Sequence, residues 1–136
     1  MDDCIFCKII EGSIPGAMIL DEDNIVAILD IGPLNKGHAL VISKEHHETI
    51  KDVPDEILKD MILGAKKVAN ALSSALNTNG CNILMNNKKV AGQIVPHAHI
   101  HIIPRFEGDG INWEWNTKRY EDKEIEEYKA KIAKFL

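Results

Sequence analysis

Apolar residues recur along this chain with two periods, and the change from one to the other divides it. Beyond Pro54, the residues Ile57, Leu58, Met61, Ile62, Ala65, Val68, Ala69, Leu72, Ala75 and Leu76 fall at helical spacing. This predicts one long helix whose apolar stripe covers a sheet. Pro54 suits its first turn, and Asn77 to Gly80 ends it. Upstream, short apolar and β-branched runs between turn formers predict strands. Met18 to Asp21 and Asn24 to Asp30 form a hairpin with acidic residues in its turn, and His38 to Ser43 follows a loop from Ile31 to Lys36. After the helix, Cys81 to Asn86 and Val95 to Ile103 read as the fourth and fifth strands, joined by a basic loop from Asn87 to Gly92. Cys4 to Ile10 reads as one or two helical turns. Ile125, Tyr128, Ile132 and Phe135 place an amphipathic helix near the C-terminus.

This order predicts a single α+β domain over residues 1–136: a five-stranded antiparallel sheet with one long helix on one face and a C-terminal helix. One sheet face is left for a site. The sheet edges invite pairing with a second subunit, so a homodimer is expected.

Hydrophobic residues make up 45% of the chain and charged residues 27%, ordinary values for a globular protein. The formal charge of −5 argues against generic nucleic-acid binding, which depends on Lys and Arg neutralising phosphates. Any phosphate site must therefore be local. No apolar run approaches the ~20 residues of a membrane span, and the start MDDCIFCKII is acidic with no signal-peptide core. A cytoplasmic location and no membrane partner are expected. Three cysteines, two of them spaced Cys4-x-x-Cys7, fit a reducing compartment better than a disulfide framework.

The chemistry concentrates in His97, His99 and His101, which recur at intervals of two. In a strand, residues i and i+2 lie about 6.5 Å apart on one face, so the imidazoles would share a face and Ala98, Ile100 and Ile102 would line the other. Three readings fit. The histidines are polar positions of a half-exposed strand, or a three-imidazole catalytic zinc site with an open fourth position, or neutral imidazoles of which one attacks an electrophile while its neighbours bind it or pass protons.

The run from His97 to Ile103, HAHIHII, resembles the histidine-triad (HIT) signature. CIFCKII at the N-terminus, AILDIGPLNKGHALVISKEH from Ala27 to His46, Asn86, and Gly92-Gln93 resemble further HIT segments in the expected order, and the tail is similar to bacterial and archaeal Hit proteins. The resemblance implies the HIT fold, usually a homodimer. It implies hydrolysis or transfer at the α-phosphate of a purine nucleotide such as a nucleoside phosphoramidate or acyl-nucleotide. Two alternatives share it: a dinucleoside polyphosphate hydrolase, and a purine-nucleotide-binding regulator with little turnover.

By the same resemblance His99 is the nucleophile that forms a nucleotidyl-histidine, His101 the phosphate partner, and His38 a supporting group beside them. Gly92 and Gln93 match residues ahead of the triad, the glutamine binding phosphate. Asp30 matches an acceptor for ribose hydroxyls, Phe6, Ile28 and Ile31 match contacts around the purine, and Asn86 matches a residue near ribose and phosphate. Ile94 stands where many relatives carry Ser or Thr, leaving only its backbone N–H to donate. Cys4 and Cys7, spaced as a metal knuckle, need two more ligands. The resemblance supplies His46 and His97 for a structural zinc; His47, adjacent to His46, is the fallback ligand, and Cys81 is expected to pack in the helix-side core. Sharing His97 with two thiolates leaves no open position for a catalytic water, and the implied chemistry requires no catalytic metal.

Overall fold

The computed structural model describes residues 3–136; Met1 and Asp2, part of the acidic start noted above, lie outside them. The elements are α1 (Ile5–Glu11), β1 (Met18–Asp21), β2 (Ile25–Leu29), β3 (Ala39–Ser43), α2 (Asp55–Leu76), β4 (Gly80–Leu84), β5 (His99–Arg105) and α3 (Glu124–Ala133), with a 3-10 turn at Lys89–Ala91. The strands form one antiparallel sheet in the order β1-β2-β3-β5-β4. The last strand in sequence is thus inserted between β3 and β4, where its register pairs His99 with Ile42 and His101 with both Leu40 and Leu84.

Strand alternation sorts the core into two layers. Ile25, Ala27, Ala39, Val41, Ile100 and Ile102 face α2, meeting Met61, Ala65, Val68 and Leu72. Val26, Ile28, Leu40 and Ile42 face the other way, under Cys4 and Phe6 of the N-terminal segment. With both faces covered, β2 and β3 are buried almost throughout, as central strands between two layers must be. Helix α2 approaches closely at Gly64, where an added Cβ would stand 2.9 Å from Ile25 Cδ1. Its buried stripe is narrower than the periodicity suggests, because Ile62, Ala75 and Leu76 are exposed.

Three expectations need correction. The fourth strand stops at Leu84, and the fifth starts at His99 instead of Val95. Pro96 lacks an N–H for the ladder, and a tight turn around it is closed by His97 N–H donating to Val95 O at 2.8 Å. Cys81 is exposed, outside the helix-side core, because β4 is an edge strand with partners on one side only. Helix α3 forms as expected, yet Ile125, Tyr128, Ile132 and Phe135 are all exposed; Tyr128 meets Tyr120 at 5.7 Å, and the stripe stays outside both layers of the core.

Candidate active site and metal centre

The three histidines share the sheet face opposite α2, but their environments differ. His97 precedes the strand and is fully buried. Its Nε2 lies 2.7 Å from Ser43 O. A carbonyl only accepts, so Nε2 carries the proton and the Nδ1 lone pair faces Cys4 Sγ at 3.3 Å and Cys7 Sγ at 3.6 Å. His46 Nδ1 approaches Cys7 Sγ at 3.4 Å. These four donors lie within 4.8 Å of one another. A tetrahedral ion with bonds of ~2.3 Å to sulfur and ~2.05 Å to nitrogen would hold S and N about 3.5 Å apart, and the three S···N separations bracket that value. His97 also donates its second nitrogen to a carbonyl, as ligating imidazoles do. The residues therefore fit a closed tetrahedral metal. Without one, burial lowers His97 to about 4 and lowers His46. Burial, followed by the neighbouring Cys4, raises the Cys7 thiol. His47 is turned aside to Glu45 at 3.3 Å and is outside the donor set.

His99 is 6% exposed, and its Nδ1–H donates to His97 O at 2.6 Å. Its Nε2 lone pair is therefore the free one, and the ring lines a cavity of about 500 Å³. Burial favours its neutral form against the opposing hydrogen bond to His97 O. Phe6 packs edge-on against it at 5.0 Å and against His97 at 5.9 Å.

A second tautomer chain runs alongside. Leu34 N–H donates to His38 Nδ1 at 3.1 Å, so neutral His38 carries its proton on Nε2. That proton points to His101 Nδ1 at 3.0 Å, so neutral His101 is left with its own proton on Nε2. Burial, then His99 and His38, lower His101 to about 4; burial likewise lowers His38 against the pull of Asp30. Asp30, His38 and His101 also cluster within 4.8 Å, but this donor set does not suit a cation. A metal on His38 Nε2 would move the proton to Nδ1, against the Leu34 N–H.

Phe6, Asp30, Ile31, His38, Asn86, Gly92, Ile94, His99 and His101 all line the cavity. Two expected residues do not. Ile28 is packed beneath it with Phe6 and Leu40. Gln93 lies outside that lining: its Oε1 accepts from Lys88 N–H and one hydrogen of its Nε2 is donated to Glu48 O, both at 2.7 Å, so it staples the loop and keeps one amide N–H for another partner. The loop needs that staple because Lys88 sits at φ +73°, where a non-glycine backbone is strained. Gly92 N–H is already donated to Lys89 O at 3.0 Å, and Gly92 adopts φ +93° next to Asn86.

Sequence reading missed the device that shapes the far wall. Asp109 accepts from Arg105 Nε at 2.8 Å and Nη2 at 3.1 Å, from Asn35 Nδ2 at 2.9 Å, and from the N–H groups of Phe106 and Ile111, both at 3.1 Å. The Arg105 guanidinium holds its carboxyl well below the usual carboxylate range. This knot anchors the chain at Ile111, and two residues later Trp113 joins the cavity lining. The signal was an Arg and an Asp four apart around a Gly-Asp-Gly turn.

Comparison with known proteins agrees with this geometry. The HIT domain family model matches residues 11–108. A HIT family protein of Bacillus subtilis has a crystal structure that superposes with a TM-score of 0.91 at 41% identity, covering 98% of this chain and 97% of that one. The adenosine 5′-monophosphoramidase of Saccharomyces cerevisiae is 40% identical, over 96% of this chain and 82% of its own length. A zinc-bound histidine triad protein of Mycobacterium smegmatis superposes with a TM-score of 0.78 at 33% identity, covering 99% of both chains.

Proposed function

This chain belongs to the HIT domain family, and on that footing we propose that it hydrolyses or transfers the nucleotidyl group of a purine nucleotide, at the α-phosphorus, through a covalent bond to His99. The observation that carries the reading is the 2.6 Å hydrogen bond from His99 Nδ1–H to His97 O. It leaves Nε2 as an unprotonated nucleophile inside the cavity. The similarity to an adenosine 5′-monophosphoramidase supports a phosphoramidate as the substrate.

In the first step the Nε2–P bond forms as the bond from phosphorus to the leaving nitrogen or acyl oxygen breaks, and the leaving group takes a proton from the medium where it needs one. In the second, the oxygen of water bonds to phosphorus, the P–Nε2 bond breaks, and the proton released by water closes the balance. His101 Nε2–H donates to the phosphate oxygens as their charge grows, while His38 orients it. The Asp30 carboxylate suits the ribose hydroxyls, Phe6 and Ile31 suit the purine, and Asn86 with the Ile94 N–H suits the phosphate. Cys4, Cys7, His46 and His97 would hold a zinc ion, which would cross-link the N-terminal segment to the strand entry; none of the four side chains is among those assigned to the substrate. A second copy of the chain is the proposed protein partner, along the exposed β4 edge.

Rapid acid quench of enzyme mixed with an adenosine 5′-phosphoramidate, followed by peptide mass spectrometry, tests this. An adenylyl adduct on the His99 peptide is expected. AMP release at full rate with no adduct on any histidine would contradict the covalent route.

A further inference from the structure

The relay that sets the proton of His101 begins outside the cavity. Leu34 N–H, which decides the tautomer of His38, belongs to a turn closed by His38 N–H donating to Asn35 O at 2.9 Å. The turn lies in no helix or strand, and Leu34 and Lys36 on either side of Asn35 are exposed. Its anchor is the Asn35 side chain. Both amide hydrogens are donated, one to Pro104 O at 2.8 Å and one to Asp109 Oδ2 at 2.9 Å. Pro104 lies on β5 with His101, so Asn35 grips the strand that carries the phosphate partner. Asp109 is held in turn by Arg105 and by the N–H groups of Phe106 and Ile111. It stands just past the stretch matched by the family model, which ends at residue 108.

A turn freed from both bonds carries Leu34 N–H away from His38 Nδ1 as it opens locally. His38 then takes its proton on Nδ1, or turns Nε2–H toward Asp30 Oδ2, which stands 3.8 Å away. Either change removes the donor that faces His101 Nδ1. The His101 proton is then divided between its two nitrogens, and the fraction without Nε2–H has nothing to donate to a phosphate oxygen. Resting on the nucleotidyl-transfer reading for its effect on the reaction, we infer that Asn35, clamped by Asp109 and Pro104, is a positioning residue that keeps the His101 proton on Nε2 through Leu34 and His38.

Heteronuclear NMR of protein carrying nitrogen-labelled histidine tests it in the resting state, because rings protonated on Nδ1 and on Nε2 have distinct nitrogen shifts. In wild type His38 and His101 should both show the proton on Nε2, with His99 showing it on Nδ1 as an internal reference. Asn35→Ala, a change in a half-buried loop position, should leave His99 as it is and give His101 a pattern averaged between the two tautomers. With adenosine 5′-phosphoramidate its kcat should fall about tenfold, less than the roughly 10²–10³ of deleting a transition-state donor, while KM moves by no more than about twofold. Asp109→Ala should reproduce both effects. Asn82→Ala, which frees Arg105 Nη1 from Asn82 Oδ1 and leaves Asn35 held, should reproduce neither. An unchanged His101 pattern in Asn35→Ala, the same change in Asn82→Ala, or a shifted pattern with undiminished kcat overturns the inference; Asn35→Ala alone decides should Asp109→Ala not fold. A shifted pattern in a protein whose wild type releases no AMP leaves the hold on the His101 proton standing and removes the catalytic reading.

Discussion

His97 and His99 are joined by a hydrogen bond between the carbonyl of one and the ring of the other, His97 O accepting from His99 Nδ1–H at 2.6 Å. The same His97 points its imidazole away from the cavity, toward Cys4 and Cys7. One residue thus serves two sites, its side chain joining the four donors that could hold a metal ion and its backbone choosing the tautomer of His99, the proposed nucleophile. His99→Ala should lower AMP formation from a phosphoramidate by at least about 10³-fold, with AMP affinity changed only a few-fold. Steady-state kinetics and calorimetry on the same preparation check it; a variant that retains more than a tenth of the activity removes His99 from the nucleophile's role.

Metal removal should act on the fold. Cys7→Ala, or exhaustive chelation, should take bound zinc from one per chain to near none and lower the thermal midpoint by about 5 °C or more, given the several degrees that each kcal/mol moves a domain of this size. Elemental analysis beside a thermal melt checks both parts. Unchanged zinc content in Cys7→Ala would remove Cys7 from the ligand set.

The depressed His101 predicts how stability depends on pH. Burial lowers it to about 4 in the folded protein from an ordinary value of 6.5, so between those values the unfolded chain binds more protons. Stability is then complete above about pH 6.5 and is lost as pH falls toward 4, by on the order of 3 kcal/mol from this group. His101→Gln cannot titrate but can still accept from His38. It should lose less stability than wild type between pH 7 and pH 5, which denaturant melts at the two pH values would reveal. Parallel losses in both proteins would assign the pH dependence to other groups.

Asp109→Asn keeps the size of the side chain but removes the charge facing Arg105. The knot that anchors residues 105 to 111 should loosen, lowering the thermal midpoint by a few degrees and shifting Trp emission to the red as Trp113 leaves the cavity wall. Emission spectra of wild type and variant, compared at equal folded fraction, decide it; an unshifted spectrum places Trp113 independently of the knot.

The periodicity of the chain was enough for the α+β class, the long helix, the five strands and the alternation of the histidines with Ala98, Ile100 and Ile102, because each follows from local backbone geometry. Cys4-x-x-Cys7 was equally visible as a local spacing. What distinguishes the three histidines is not local. His97 owes its orientation to Ser43 and Cys4, 54 and 93 residues away, and His101 owes its tautomer to His38, 63 residues away. Gln93, matched to phosphate by its place in the motif, is also held by the backbone of Glu48 and Lys88, contacts that the motif does not announce. Cys81, placed in the core by its apolar character, lies on an edge strand that only the sheet order identifies. The sequence by itself determined which residues share a face. Only the tertiary structure decided which nitrogen of each imidazole holds its proton: Ser43 sets His97 and His38 sets His101 from distant parts of the chain, and His99, whose acceptor is the carbonyl of His97 two residues before it, depends on the turn that aims that carbonyl.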